Sequence, residues 1–244
     1  MIIFYIALII SFSYFVQSAF GFGAGIIAIP LLTLFIDAKD AITIVMIFSF
    51  LCGLLVIKLW KDVDWPSIRR LMPGLTVGLV IGLALFSFID QRFLGIFLAF
   101  YIISYVAIDY FKPKEVLDLS GRIPVGMQSF ISGFLGGVIQ GVMGTGGPML
   151  VTYLKSHTNT VNQFRASVIG IFFIANLMRV IVMGSESLIP HRIVESSLAA
   201  LPFFGIAMYL GCKLPDKFNQ KTFHAIINFL LLLSATSVLI KQFS

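Results

Sequence analysis

No charged side chain occurs in residues 1–36. As one α-helix, residues 2–36 would be about 52 Å long at ~1.5 Å per residue. The hydrocarbon core of a bilayer is roughly 30 Å thick. The run is too long for one crossing and too short for two. Its middle is interrupted by Gly21-Phe22-Gly23-Ala24-Gly25. Residues 123–154 repeat the anomaly, with Gly144-Thr145-Gly146-Gly147-Pro148 at the interruption. Each stretch reads as a helical hairpin that enters the membrane and turns back. Irregular backbone at membrane depth must be buried in protein or line a cavity, because hydrocarbon offers it no hydrogen bond.

Six further segments have the length and apolarity of single spans: 41–60, 66–89, 93–111, 164–183, 193–212 and 222–240. Hydrophobic residues make up 59% of the chain and charged residues 11%, too little polar surface for a soluble globule. An ordinary cytosolic enzyme, a nucleic-acid-binding module and a disordered chain are excluded on that ground. The net charge of +6 does not alter this, because Lys and Arg fall in short clusters between apolar runs rather than in a stripe. Cys52 and Cys212 lie in apolar segments and read as packing residues. No metal site and no cofactor are expected. The N-terminal run lacks a basic start and continues past any plausible cleavage point, so it reads as structure rather than signal peptide.

Shifting the chain by 123 residues lays Gln17, Gly21 and Gly23 over Gln140, Gly144 and Gly146. With small gaps, Pro73 and Gly82 answer Pro202 and Gly211. The predicted fold is therefore an all-α integral membrane protein of two repeats, each a glycine-broken hairpin followed by three spans. Residues 1–111 form the first repeat and 123–244 the second, joined by the polar linker 112–122. A hairpin returns to its starting side, so three crossings per half invert the second repeat. That arrangement puts twelve Lys and Arg on one side, at 58–70, 112–122, 155–165 and 213–221, and five on the other: Lys39, Arg92, Arg179, Arg192 and Lys241. Parallel repeats of four crossings give ten against seven. The positive-inside rule favours the inverted form, with a cytoplasmic linker and both termini outside.

Paired breaks at matching positions of inverted halves point to a transporter's binding site. Helix N-termini after a glycine turn present N–H groups and a positive dipole end, which suit an anion. The candidate binding residues are Gln17, Gly21, Phe22, Gly23 and Gly25 at the first break, and Gln140, Gly144, Thr145, Gly146 and Gly147 at the second. Gln17 and Gln140 stand one helical turn before the glycines, where an uncharged amide can donate to an oxyanion or simply tie the hairpin together. Ser49 and Asn176 lie in the first full span of each half. Arg179 joins them as the basic residue inside an apolar run, although its place near the span's end also suits snorkelling to the outer surface. The series Gly78/Gly82 and Gly133/Gly137/Gly141 reads as helix packing. All eleven carboxylates sit in loops or within about two turns of a segment end, so no proton relay crosses the middle and the membrane potential is the expected driving force.

At Gly21-Phe-Gly23-Ala-Gly25-Ile-Ile-Ala-Ile-Pro30-Leu-Leu and Gly144-Thr-Gly146-Gly147-Pro148-Met-Leu150 the sequence resembles the sulfite exporter TauE/SafE family. The resemblance covers essentially the whole chain. Ala24 replaces a glycine common in the first cluster, and Pro148 follows the second immediately. The resemblance implies a multi-pass protein of a bacterial or archaeal plasma membrane that exports sulfite, a sulfonate or another sulfur-containing oxyanion; the paired glycine breaks place that anion between the two hairpin tips. An anion channel or facilitator is the alternative mechanism, and an accessory subunit without flux is another. No HExxH, no GxSxG and no membrane-embedded aspartate pair supports an intramembrane enzyme. The expected partners are a small anion and the bilayer, with no nucleic acid; self-association stays open.

Overall fold

The computed structural model describes residues 2–20, 23–54, 56–111, 124–145, 147–185, 190–213 and Thr236. The linker 112–122, the expected span 222–240 apart from Thr236, and Gly21, Phe22 and Gly146 fall outside them. Among the described residues every regular element is helical. The order is α1 (Ile2–Phe20), α2 (Ala24–Thr33), α3 (Ala38–Gly53), a short α4 (Val56–Leu59) with a 3-10 turn (Trp60–Asp62), α5 (Trp65–Phe88) and α6 (Gln91–Phe111). Then follow α7 (Val125–Met143), α8 (Gly147–His157), α9 (Val161–Ser185) and α10 (His191–Cys212). Among the described residues four helices are long and apolar enough to cross a membrane: Trp65–Phe88, Val125–Met143, Asn162–Ser185 and Arg192–Gly211.

The outward faces show which solvent these helices meet. On α5 the buried stripe is Leu71, Gly74, Leu75, Gly78, Leu79, Gly82, Leu83 and Phe86. Val77, Val80, Ile81, Leu85 and Phe88 are exposed on the same helix. A helix apolar on every side belongs in hydrocarbon. Phe203, Ile206, Tyr209 and Leu210 give α10 the same character.

The helices group into two compact units, each drawing on both halves of the sequence: Met1–Val45 with Ile89–Lys112 and Ile189–Ser244, and Met46–Phe88 with Pro113–Leu188. In the first, α1 packs along α10. Tyr14 and Phe204 meet edge to face at 5.1 Å, and the Ser18 hydroxyl donates to the Met208 carbonyl at 2.7 Å. The Tyr14 hydroxyl donates to the carbonyl of Val45 in α3 at 2.9 Å. Arg192, at the start of α10, pairs with Asp40 of α3 at 2.8 Å. Phe35, just past α2, stacks on Tyr5 near the start of α1, with centroids 4.7 Å apart.

In the second unit the principal contact is α5 on α7, and it is made of glycine. A Cβ on Gly74 would collide with the Phe130 carbonyl, and one on Gly78 with the Phe134 carbonyl. From the other side, a Cβ on Gly137 would lie 2.5 Å from the Leu75 carbonyl oxygen, and one on Gly141 2.7 Å from Gly82. The packing reading of these glycines from sequence is therefore correct. Small residues let backbones approach where hydrocarbon supplies no hydrophobic drive between helices. The contact recurs in the first unit. Gly82 rests on Val138 and Gly141, and Gly211 rests on Phe15 and Ser18. Phe15 and Ser18 precede Val138 and Gly141 by 123 positions, the offset that aligns the glycine clusters.

The glycine face sets a test. Gly78→Leu and Gly137→Leu should prevent α5 and α7 from docking, at a cost of at least the ~1–3 kcal/mol of an overpacked core. Gly205→Ala on α10, where an added Cβ meets nothing within 4 Å, should leave the protein intact. Size-exclusion profiles of the detergent-extracted variants distinguish a monodisperse peak from aggregate. A normal profile for Gly78→Leu would refute the close approach.

Candidate functional site

Among the described residues, one glycine of each cluster has left-handed backbone and stands at a helix end. Gly23 has φ 109° and caps the start of α2; Gly144 has φ 71° and caps the end of α7. These conformations suit glycine because a Cβ would strain them. The arms on either side are unequal: 19 and 10 residues around the first break, 19 and 11 around the second.

At the first break the amide oxygen of Gln17 accepts the Ala24 N–H at 3.2 Å. Gln17 thus caps α2 through its acceptor, satisfying one of the orphan donors that every helix start carries. This is the tying role that the sequence left as an alternative to anion binding. Gly23 and Gly25 are half-buried beside it.

The second break carries a buried polar network centred on Gln140. Its carbonyl accepts the Gly144 N–H at 2.9 Å, which closes α7. The same carbonyl accepts Nη1 of Arg179 at 3.0 Å. Its side-chain Nε2 donates to Oδ1 of Asn176 at 3.2 Å, and Asn176 Nδ2 donates to the Phe172 carbonyl at 2.8 Å. Asn176 and Arg179 are three apart on α9 and share a face. Gln140 therefore holds both, one by its backbone and one by its side chain. Thr145 is buried next to Gly144, Gly147 begins α8, and Ser49 lies half-buried on α3.

Arg179 is 0% exposed, which corrects the snorkelling expectation. The α9 helix continues to Ser185, so the residue stands well inside its helix rather than in the last turn. Three features hold the charge. The Gln140 carbonyl accepts one donor, the C-terminal end of α7 presents the negative pole of its dipole, and the Phe86 ring lies 5.2 Å from Cζ. Phe86 was invisible to sequence reasoning, being one of 25 phenylalanines. Nε and Nη2 have no hydrogen-bond acceptor among the described residues. No carboxylate among them lies within ion-pair distance of Arg179. A buried cation with two idle donors costs several kcal/mol unless something anionic completes it. Gln17 and Gly23 belong to one compact unit, whereas Ser49, Gln140, Gly144, Asn176 and Arg179 belong to the other.

The comparisons agree with a membrane transporter. The family model described as Sulfite exporter TauE/SafE matches residues 6–238. The chain is 26% identical over 180 residues to the probable inner membrane transporter protein TsaS of Comamonas testosteroni, covering 73% of this chain and 74% of that protein. It is 22% identical over 165 residues to the probable sulfite/organosulfonate exporter TauE of Cupriavidus necator, covering 66% of this chain and 63% of that protein. No solved structure matches.

The network predicts its own weak points. Asn176→Leu removes the acceptor of a buried amide and should cost ~1–3 kcal/mol. Gly144→Ala should cost ~1–2 kcal/mol through its left-handed backbone. Gly184→Ala, with open space around the added Cβ, should be neutral or mildly stabilising. Thermal unfolding of the purified variants orders the three. Equal melting temperatures for Gly144→Ala and Gly184→Ala would refute the left-handed cap.

Proposed function

Because the chain belongs to the sulfite exporter TauE/SafE family, we propose that it exports sulfite, a sulfonate or a related sulfur oxyanion, which binds beside the second glycine break. The observation that carries this reading is Arg179: a buried guanidinium with, among the described residues, no carboxylate partner and two idle donors. Ionisable groups inside membrane segments are costly, and they mark the path of a transported solute. Gln140 and Asn176 orient the cation, and Gly144 ends α7 where a ligand can approach backbone. Transport rather than catalysis is the reading, and it matches what the relatives are named.

The architecture we propose is two inverted repeats, each beginning with a glycine-broken hairpin. The stacking of Phe35 on Tyr5 supports the first hairpin, and the contact of Gly136 with Leu150 supports the second. The recurrence of the Gly82 contact at Gly211 supports the repeat. The charge asymmetry of the loops supports inversion, with both termini outside and the 112–122 linker in the cytoplasm.

Proteoliposomes loaded with sulfite should release it faster under an inside-negative potassium–valinomycin potential. Arg179→Gln should slow that release at least about 30-fold, the ratio that ~2 kcal/mol from a truncated buried charge gives. Gly23→Leu and Gly146→Leu should each abolish it if both breaks serve the anion. Counterflow separates a carrier from a channel. Wild-type release no faster than from empty-vector vesicles would defeat the export reading.

The topology has a separate check. Lys114→Cys and Lys241→Cys, each in a background lacking Cys52 and Cys212, should react with an impermeant maleimide from opposite sides of the membrane. Reaction from the same side would favour parallel repeats.

A further inference from the structure

The unpartnered atoms of Arg179 are not scattered around the guanidinium. Nη1 is occupied by the Gln140 carbonyl, and the two left over are Nε and Nη2. These two N–H groups lie on the same edge of the planar group and point in parallel. That edge is the side-on fork with which arginine takes two oxygens of one carboxylate or phosphate. The protein has used the donor outside the fork and kept the fork.

The charge around it is equally restricted. On α9 the other titratable residue is Arg165, fourteen positions before Arg179. Ser167 accepts the Asp64 N–H at 2.8 Å, so that end of α9 adjoins the start of α5. The titratable residues of α5 are Arg69 and Arg70, roughly 24 Å along the helix from Phe86. On α7 there are none. Those of α8 are Tyr153, Lys155 and His157, in its second half, away from the glycine break. Lys58, Lys61 and Asp62 belong to the short segment between α3 and α5. Arg179 is thus the one formal charge at its level of this unit among the described residues.

We propose that the fork of Arg179 binds two oxygens of a single SO3 group and that the site selects the monoanion. This rests on the export reading above. A monoanion forms a neutral pair with the guanidinium. A dianion leaves one negative charge unbalanced in a low-dielectric interior, where an uncompensated charge is strongly disfavoured. A sulfonate is a monoanion at every physiological pH, sulfate is a dianion, and sulfite passes from one form to the other near neutrality. A halide offers one atom to a fork built for two. Lysine would keep the charge and lose the fork.

The test uses the full-length protein in proteoliposomes, with methanesulfonate, sulfite, sulfate and chloride as probes. Between about pH 6 and about pH 8, methanesulfonate flux should stay level. Sulfite flux should fall by roughly tenfold per unit once the dianion dominates. Sulfate and chloride should be carried poorly. Arg179→Lys should lose at least ~10-fold of methanesulfonate flux despite its retained charge. Methanesulfonate should also raise the melting temperature of the detergent-purified wild type and not that of Arg179→Lys, a readout that needs no transport. Failure of the export reading alone would appear as absent flux with the melting shift intact. Lysine serving as well as arginine, sulfate carried as well as methanesulfonate, or no melting shift in the wild type would each overturn the fork assignment. Should Arg179→Lys fail to fold, the wild-type pH profiles and the sulfate comparison decide by themselves.

Discussion

The carbonyl of Gln140 is the point on which the second unit's interior turns. It sits in the last turn of α7. One of its acceptor positions takes the ordinary i+4 helical bond, from the Gly144 N–H at 2.9 Å. The other goes to Arg179 at 3.0 Å. The guanidinium thus takes the second lone pair of a carbonyl already engaged in a helical bond, one turn before the left-handed Gly144 that ends the helix. The end of α7 and the cation therefore share one carbonyl. The negative pole of α7 also steadies the charge without neutralising it, which a carboxylate would have done.

Two neighbouring stripes on α7 make this possible. Gly133, Gly137 and Gly141 face α5, where bare backbones meet. Gly136 faces Leu150 of α8, and Gln140, one turn further on, faces α9 through Asn176 and Arg179. Residues four apart lie above one another on a helix, so each stripe addresses its own neighbour. The α5 contact fixes α7 so closely that a single Cβ would displace it. A rigid α7 in turn fixes the carbonyl that positions Arg179. Packing glycines and the polar Gln140 follow one another along one helix but act on different sides.

Much of this was legible in the sequence. Within the long apolar stretches 2–36 and 123–154, helices do end at Phe20 and Met143 and begin again at Ala24 and Gly147, and the 123-residue offset drew attention to Gln17 and Gln140. Their roles were not legible. Gln17 accepts from the Ala24 N–H, whereas Gln140 donates to Asn176; spacing cannot say which end of an amide is used. The end of α3 at Gly53 was also missed, because that glycine looks like any other in an apolar run. A Cβ there would lie 2.8 Å from the Phe173 ring, a contact with a residue 120 positions away. The depth of Arg179 failed for a related reason. A basic residue near a span's end normally extends towards water. Only the tertiary contacts with Gln140 and Phe86 show it turned inward.

Arg179 and Arg192 show what distinguishes a site from a structural charge. Arg192 has a side chain 68% exposed and a carboxylate at 2.8 Å, that of Asp40. Burial raises the Asp40 carboxyl above the usual range, and Arg192 pulls it back towards ionisation. Such a pair is satisfied, screened by water and of little energetic weight. Arg179 is the reverse case, fully buried and, among the described residues, without a carboxylate. If stability alone governed the placement, the cheaper solutions would be to pair the buried arginine or to replace it with an apolar residue. A binding site for an anion requires the opposite, since a resident carboxylate would occupy the fork in place of the substrate. On the export reading proposed above, the substrate is the group that completes the guanidinium.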